Sequence, residues 1–256
     1  MRSPSLLVPP LLAACLSAGA AIADQAKSKD PEAAQQYKHC IALARNSPAE
    51  GWQEALAWAS LGGGEPAHHC AAVAMIGMRQ FDEAAIRLEN LARDSEAAAR
   101  IRAGMLAQAG QAWLLAKQPD RAYAAQTKAL ELVPGAPDLL VDRAQSQAEE
   151  KNFAGALEDL NEALAAAPDR VDALTFRATA KRHLDDLEGA RADVKAALSI
   201  DDHYQDAWLE DGILKRLADD AAGARASWEK LLALAPQSDA AETARRDLEL
   251  LDADKQ

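Results

Sequence analysis

The apolar residues of this chain return at helical spacing and nowhere alternate as a half-buried strand requires. Trp52, Leu56 and Trp58 fall in one predicted helix. Ala240, Ala244, Leu248 and Leu251 mark another, whose opposite side carries Arg245, Arg246 and several acids. Above this short period lies a longer one. Residues 137–170, 171–204 and 205–238 align without a gap as three 34-residue units. Counting places within each unit, a small residue stands at place 8 (Ala144, Ala178, Gly212) and an apolar one at place 24 (Leu160, Val194, Trp228). Gly-Ala recurs at places 19 and 20, as Gly155-Ala156, Gly189-Ala190 and Gly223-Ala224. A fixed period of this length is the mark of a repeat array.

Two further copies lie upstream. Residues 103–136 keep Gly110, Trp113, Ala122, Ala129 and Pro134, while 65–98 form a divergent copy recognised by Phe81-Asp82-Glu83-Ala84-Ala85. The step from Phe81 to Pro119 is 38 residues instead of 34, which predicts a lengthened helix around 96–102. Helix punctuation extends to the start of the array. Asp30-Pro31 reads as an N-cap followed by Pro at the first helical position. Ser47-Pro48-Ala49-Glu50 has the form of a capping box, and Gly62-Gly63-Gly64 reads as a helix stop, since no phosphate-loop Lys follows.

Composition strengthens the helical reading. Ala supplies much of the 49% hydrophobic content and aromatics are only 4%, which suits close-packed helices better than sheets. The formal charge of −12 is spread along the chain, and no cluster of Lys and Arg offers the counterion release that nucleic acid binding needs. An anionic membrane surface is disfavoured on the same ground.

Residues 1–23 have the form of an export signal: Arg2, an apolar core from Leu6 to Leu16, and Ala21-Ile22-Ala23 before Asp24. Its removal takes out Arg2 alone, moving the charge from −12 to −13, and leaves no span for the membrane. Leu12-Ala13-Ala14-Cys15 also fits a lipoprotein box, an alternative in which Cys15 is acylated. Residues 24–30 are expected to be a disordered polar lead-in.

Taken together, the units resemble the tetratricopeptide repeat family, of an exported bacterial type. Place 4 holds Leu106, Leu140, Leu174 and Trp208; place 20 holds Ala122, Ala156, Ala190 and Ala224; place 27 holds Ala129, Ala163, Ala197 and Leu231. The match departs at place 11, where Gln147, Lys181 and Lys215 replace Tyr, and at place 7, where Ala109, Arg143, Arg177 and Asp211 replace Leu. The resemblance implies an all-α, right-handed superhelical solenoid of six helix-turn-helix pairs. Divergent pairs would occupy 31–102, four repeats 103–238, and a capping helix and tail 239–256. It also implies protein–protein interaction, with a peptide or helix held in a groove lined by the first helix of each pair. Carried over by place, that groove includes Gln111, Gln145, Thr179 and Ile213 at place 9, and Val141, Thr175 and Leu209 at place 5. Asp138, Asp172 and Asp206 at place 2 would repel an acidic tail and favour a neutral or basic partner.

Cys40 and Cys70 remain after export, an even number that favours a disulfide in an oxidising compartment. In the six-pair register they lie on neighbouring first helices. Buried free thiols are one alternative. A metal site is another, built on His39-Cys40 and His68-His69-Cys70, although adjacent helical residues point about 100° apart and would not easily face one ion. No haem-attachment, zinc-protease or nucleophile-elbow motif occurs. The expected function is therefore a non-catalytic scaffold of the periplasm or envelope, without cofactor or metal, binding a protein or peptide and not nucleic acid. The alternatives are a lipoprotein component of an envelope assembly complex and a metal-handling protein.

Overall fold

Ala-rich stretches interrupted by single turn residues give thirteen helices and no strand among the described residues, 31–253 of a computed structural model. The expected signal at 1–23 with Cys15, the lead-in at 24–30 and the last residues of the tail, 254–256, lie outside the described residues. The helices are α1 Pro31–Asn46, α2 Pro48–Ser60, α3 Gly64–Gly77, α4 Phe81–Asp94, α5 Ala99–Leu115, α6 Pro119–Leu132 and α7 Pro137–Glu149. They continue as α8 Phe153–Ala166, α9 Val171–His183, α10 Leu187–Ile200, α11 Gln205–Leu217, α12 Ala221–Leu234 and α13 Asp239–Ala253. Odd-numbered helices open six successive pairs, and α13 follows the last. The described chain divides into two compact units, one ending at Ser146 and one starting at Gln147.

One turn is used five times. Arg79, Lys117, Lys151, Asp185 and Asp219, all at place 15, adopt left-handed φ of 60° to 63°. The next N–H then reaches back five residues along the chain, as in Gln80 N to Met75 O (2.9 Å), Asn152 N to Gln147 O (2.8 Å) and Asp220 N to Lys215 O (3.0 Å). This bond satisfies a carbonyl that the end of the first helix would leave orphaned. In three copies the following residue caps the second helix. Asn152, Asp186 and Asp220 accept from the N–H groups of Gly155, Gly189 and Gly223 at 3.2, 2.9 and 2.8 Å.

In the unit ending at Ser146, α5 is 17 residues long, matching the extra turn read from the 38-residue step. Eleven of its residues are buried, so it is apolar on nearly every side and packs against α4 and α6. Gly110 accommodates Gln126, whose Cγ would lie 2.7 Å from an added Cβ. At the N-terminal end the capping box does not form, because Ser47 spends its N–H on Leu43 O and so still belongs to the end of α1. Pro48 starts α2 instead.

In the unit starting at Gln147, small and large residues at places 8 and 24 are matched. Ala178 packs with Ala190 and Val194. Where place 24 grows to Trp228, place 8 shrinks to Gly212, and a Cβ there would stand 2.2 Å from the indole Nε1. Trp228 is fully buried and donates to Leu209 O at 3.3 Å. It packs with Leu231, Ala240, Ala244 and Leu251, so α13 covers the apolar face of the last pair. Its far side, with Glu242, Arg245, Arg246 and Glu249, is exposed. A polar outer face is what the terminal element of a repeat array requires.

Candidate partner-binding face

The residues assigned to a partner groove lie on odd-numbered helices. In the first unit, Gln111 is buried on α5 and points its amide at Asp142 Oδ1 (3.5 Å). Val141 on α7 is 2% exposed, whereas Gln145, one turn on, is partly open. In the second unit, Thr175 and Leu209 are buried, and Thr175 donates to Val171 O at 2.8 Å. Thr179 and Ile213 are partly open. Place 9 thus offers surface at Gln145, Thr179 and Ile213, while the place 5 side chains Val141, Thr175 and Leu209 are spent on packing.

Around these positions the second unit carries further carboxylates: Glu210, which the groove assignment did not include, and the place 2 aspartates Asp172 and Asp206, which it did. Glu210, 4% exposed, accepts from the Arg182 guanidinium at 2.5 and 3.2 Å and from Thr179 Oγ1 at 3.1 Å. Asp206, at the N-terminal end of α11, is pushed up to about 6 by burial and by the nearby Asp239 carboxylate, against a hydrogen bond from Tyr204. Asp172 is held by Arg170, with a 3.0 Å bond from Nε.

The departures Gln147, Arg177, Lys181, Asp211 and Lys215 have a shared explanation in place 23. Gln147 donates to Asp159 Oδ2 at 2.6 Å; Arg177 and Lys181 both meet Asp193, at 2.7 Å each; and Lys215 with Asp211 meets Ser227. Polar residues thus replace the Leu and Tyr that the family pattern prefers, and each set is satisfied within its own hairpin. Buried polar groups persist only with such partners. No spacing in one helix reveals these triplets, since the partner lies 12 or 16 residues away on the next.

The cysteines are joined. A disulfide links Cys40 on α1 to Cys70 on α3, with Cα atoms 6.1 Å apart and both residues wholly buried. Beside it the two adjacent histidines differ in environment. His68 is exposed, but His69 has no exposed surface. Its Nδ1 pairs with Tyr37 Oη at 2.9 Å and its Nε2 with Gln108 Oε1 at 2.8 Å, bridging α1, α3 and α5. Burial holds its pKa down at about 4 despite the Gln108 bond, so the ring is neutral. In this oxidised form both sulfurs and both His69 nitrogens are engaged. Among the described residues, three metal-capable groups come together only at Asp201, Asp202 and His203, all exposed in one turn.

No family model and no curated protein matches the chain. Solved structures do. A tetratricopeptide repeat protein from Parabacteroides merdae superposes with a TM-score of 0.66 at 14% identity, over 94% of this chain and 92% of that one. MamA from Desulfovibrio magneticus gives 0.57 at 20% identity, over 68% and 97%. The chain has the tetratricopeptide-repeat fold. YrrB, described as a repeat protein with an unusual peptide-binding site, gives 0.51 at 17% identity, over 70% and 91%.

Proposed function

We propose that this protein is a non-catalytic interaction scaffold that holds a peptide or helix of a partner protein against its odd-numbered helices. The observation that carries the reading is the combination of this fold with partly open residues at one repeating place, Thr179 and Ile213, in the unit starting at Gln147. The peptide-binding site of YrrB supports it by likeness of fold. The carboxylates Asp172 and Asp206 support a neutral or basic partner segment over an acidic one. Location in the periplasm or at the envelope is part of the proposal, supported by the form of residues 1–23 and by the Cys40–Cys70 disulfide, since such bonds persist in oxidising compartments.

A peptide array probed with the protein tests the scaffold reading. Capture of neutral or basic peptides that weakens in Thr179→Glu and Ile213→Glu supports it; capture of acidic-tailed peptides alone, or capture indifferent to both substitutions, overturns it. Mass spectrometry of the mature N-terminus tests location: Asp24 as first residue supports soluble export, and an acylated Cys15 supports the lipoprotein alternative.

A further inference from the structure

The first helix pair is held to the array in an unusual way. Among the described residues it has a neighbouring pair on one side only, where α1 and α2 both pack on α3. The side chains that α1 buries are few and mostly small: Ala34, Tyr37, Cys40, Ile41 and Ala44. One polar tie, Tyr37 Oη to His69 Nδ1, exchanges for bonds to water on opening and so holds weakly in net terms. The covalent bond between Cys40 and Cys70 is therefore the strongest single constraint on the pair, closing a sequence separation of 30 residues.

We infer that the oxidation state of Cys40 and Cys70 gates the docking of the first helix pair. With the disulfide formed, α1 and α2 belong to the array. With it reduced, they open together and uncover the α3 face that carries His69, Cys70 and Val73. The reductant is a dithiol. One of its thiolates attacks a sulfur of the pair, breaking the S–S bond and forming a mixed disulfide. Its second thiolate then displaces the remaining protein thiol, so two electrons pass to the protein and the dithiol leaves oxidised. The rest of the array stays folded, because terminal repeats open before the whole. Both sulfurs are wholly buried, so the reaction follows a transient lifting of α1 rather than direct attack.

Hydrogen exchange followed by mass spectrometry tests this on the full chain, oxidised and after reduction by dithiothreitol, with alkylation confirming free Cys40 and Cys70. Reduction is expected to speed exchange of α1 and α2 amides roughly 100- to 1,000-fold, as release of a loop of this length implies, with α6 to α13 unchanged. The His69 ring, followed by NMR, should then titrate near the ordinary imidazole value. Equal protection of α1 and α2 in the two states, or loss of protection spread over all helices, overturns the inference. The variant Cys40→Ser/Cys70→Ser should match the reduced chain. If that variant does not fold, the reduced wild-type chain still decides.

Discussion

At place 19 each of the last three repeats gives up a side chain so that a helix can begin. An added Cβ at Gly189 would stand 2.1 Å from Asp186 Oδ2, and at Gly223 the same distance from Asp220 Oδ2. The glycine therefore protects the cap. Asp186→Ala should cost about 1 kcal/mol, the usual worth of an N-cap. In a Gly189→Ala background the carboxylate is already displaced, so the same change should cost almost nothing. A double-mutant cycle from thermal melts measures this coupling, and full additivity would remove the link between place 16 and place 19. One residue on, Ala190 is wholly buried against Ala178 and Val194. Ala190→Leu overpacks that contact and is expected to cost roughly 1–3 kcal/mol; an unchanged melting temperature would contradict the assigned packing.

The helix pair is the scale at which most of the fold could be read in advance. Small residues at places 8 and 20 and large ones at 4 and 24 record how closely two helices approach, and that information is local to 34 residues. What escaped was the chemistry across the hairpin. Arg177 and Lys181 looked like departures from a pattern because their partner, Asp193, follows on another helix. His69 escaped for the same reason, since Tyr37 and Gln108 lie 32 and 39 residues away. The residues assigned to a groove divide by burial. Place 9 keeps open surface, whereas Val141, Thr175 and Leu209 at place 5 are buried. The hairpin sets also make a prediction. Asp193→Asn leaves two cations with 17% to 21% exposure without a countercharge, and breaking such a pair should cost roughly 3 kcal/mol. Arg177→Asp with Asp193→Ser copies the set that Asp211, Lys215 and Ser227 form in the next repeat. That double variant should regain most of the stability in a denaturant titration; if it is no more stable than Asp193→Asn, the sets are not interchangeable units.

Across the whole molecule, a formal charge of −12 says little about acid stability; a few buried groups decide it, and they differ between the units. In the unit ending at Ser146, His69 titrates near 4 when folded and near 6.5 when unfolded. The unfolded chain takes up the proton first, so stability present above about pH 6.5 is lost as pH falls toward 4, by up to about 3 kcal/mol. In the unit starting at Gln147 the contributions oppose one another. His183, half-buried and stacked on Phe153, is also held at about 4 by burial and by Arg182, with the same sign as His69. Asp206, raised to about 6, and Asp247, raised by burial, have the opposite sign: the folded chain takes up their protons first and gains stability as pH falls. Acidification from pH 7 to 5 should therefore loosen α1 to α6 more than α9 to α13, seen as segment-resolved hydrogen exchange corrected for intrinsic rates. His69→Gln, which keeps a donor and an acceptor between Tyr37 and Gln108, should abolish the acid sensitivity of the first unit and leave that of the second untouched. An unchanged pH slope in that variant would show that the buried imidazole is not its source. Equal loosening of both units would show that general charge, and not these few groups, governs acid stability.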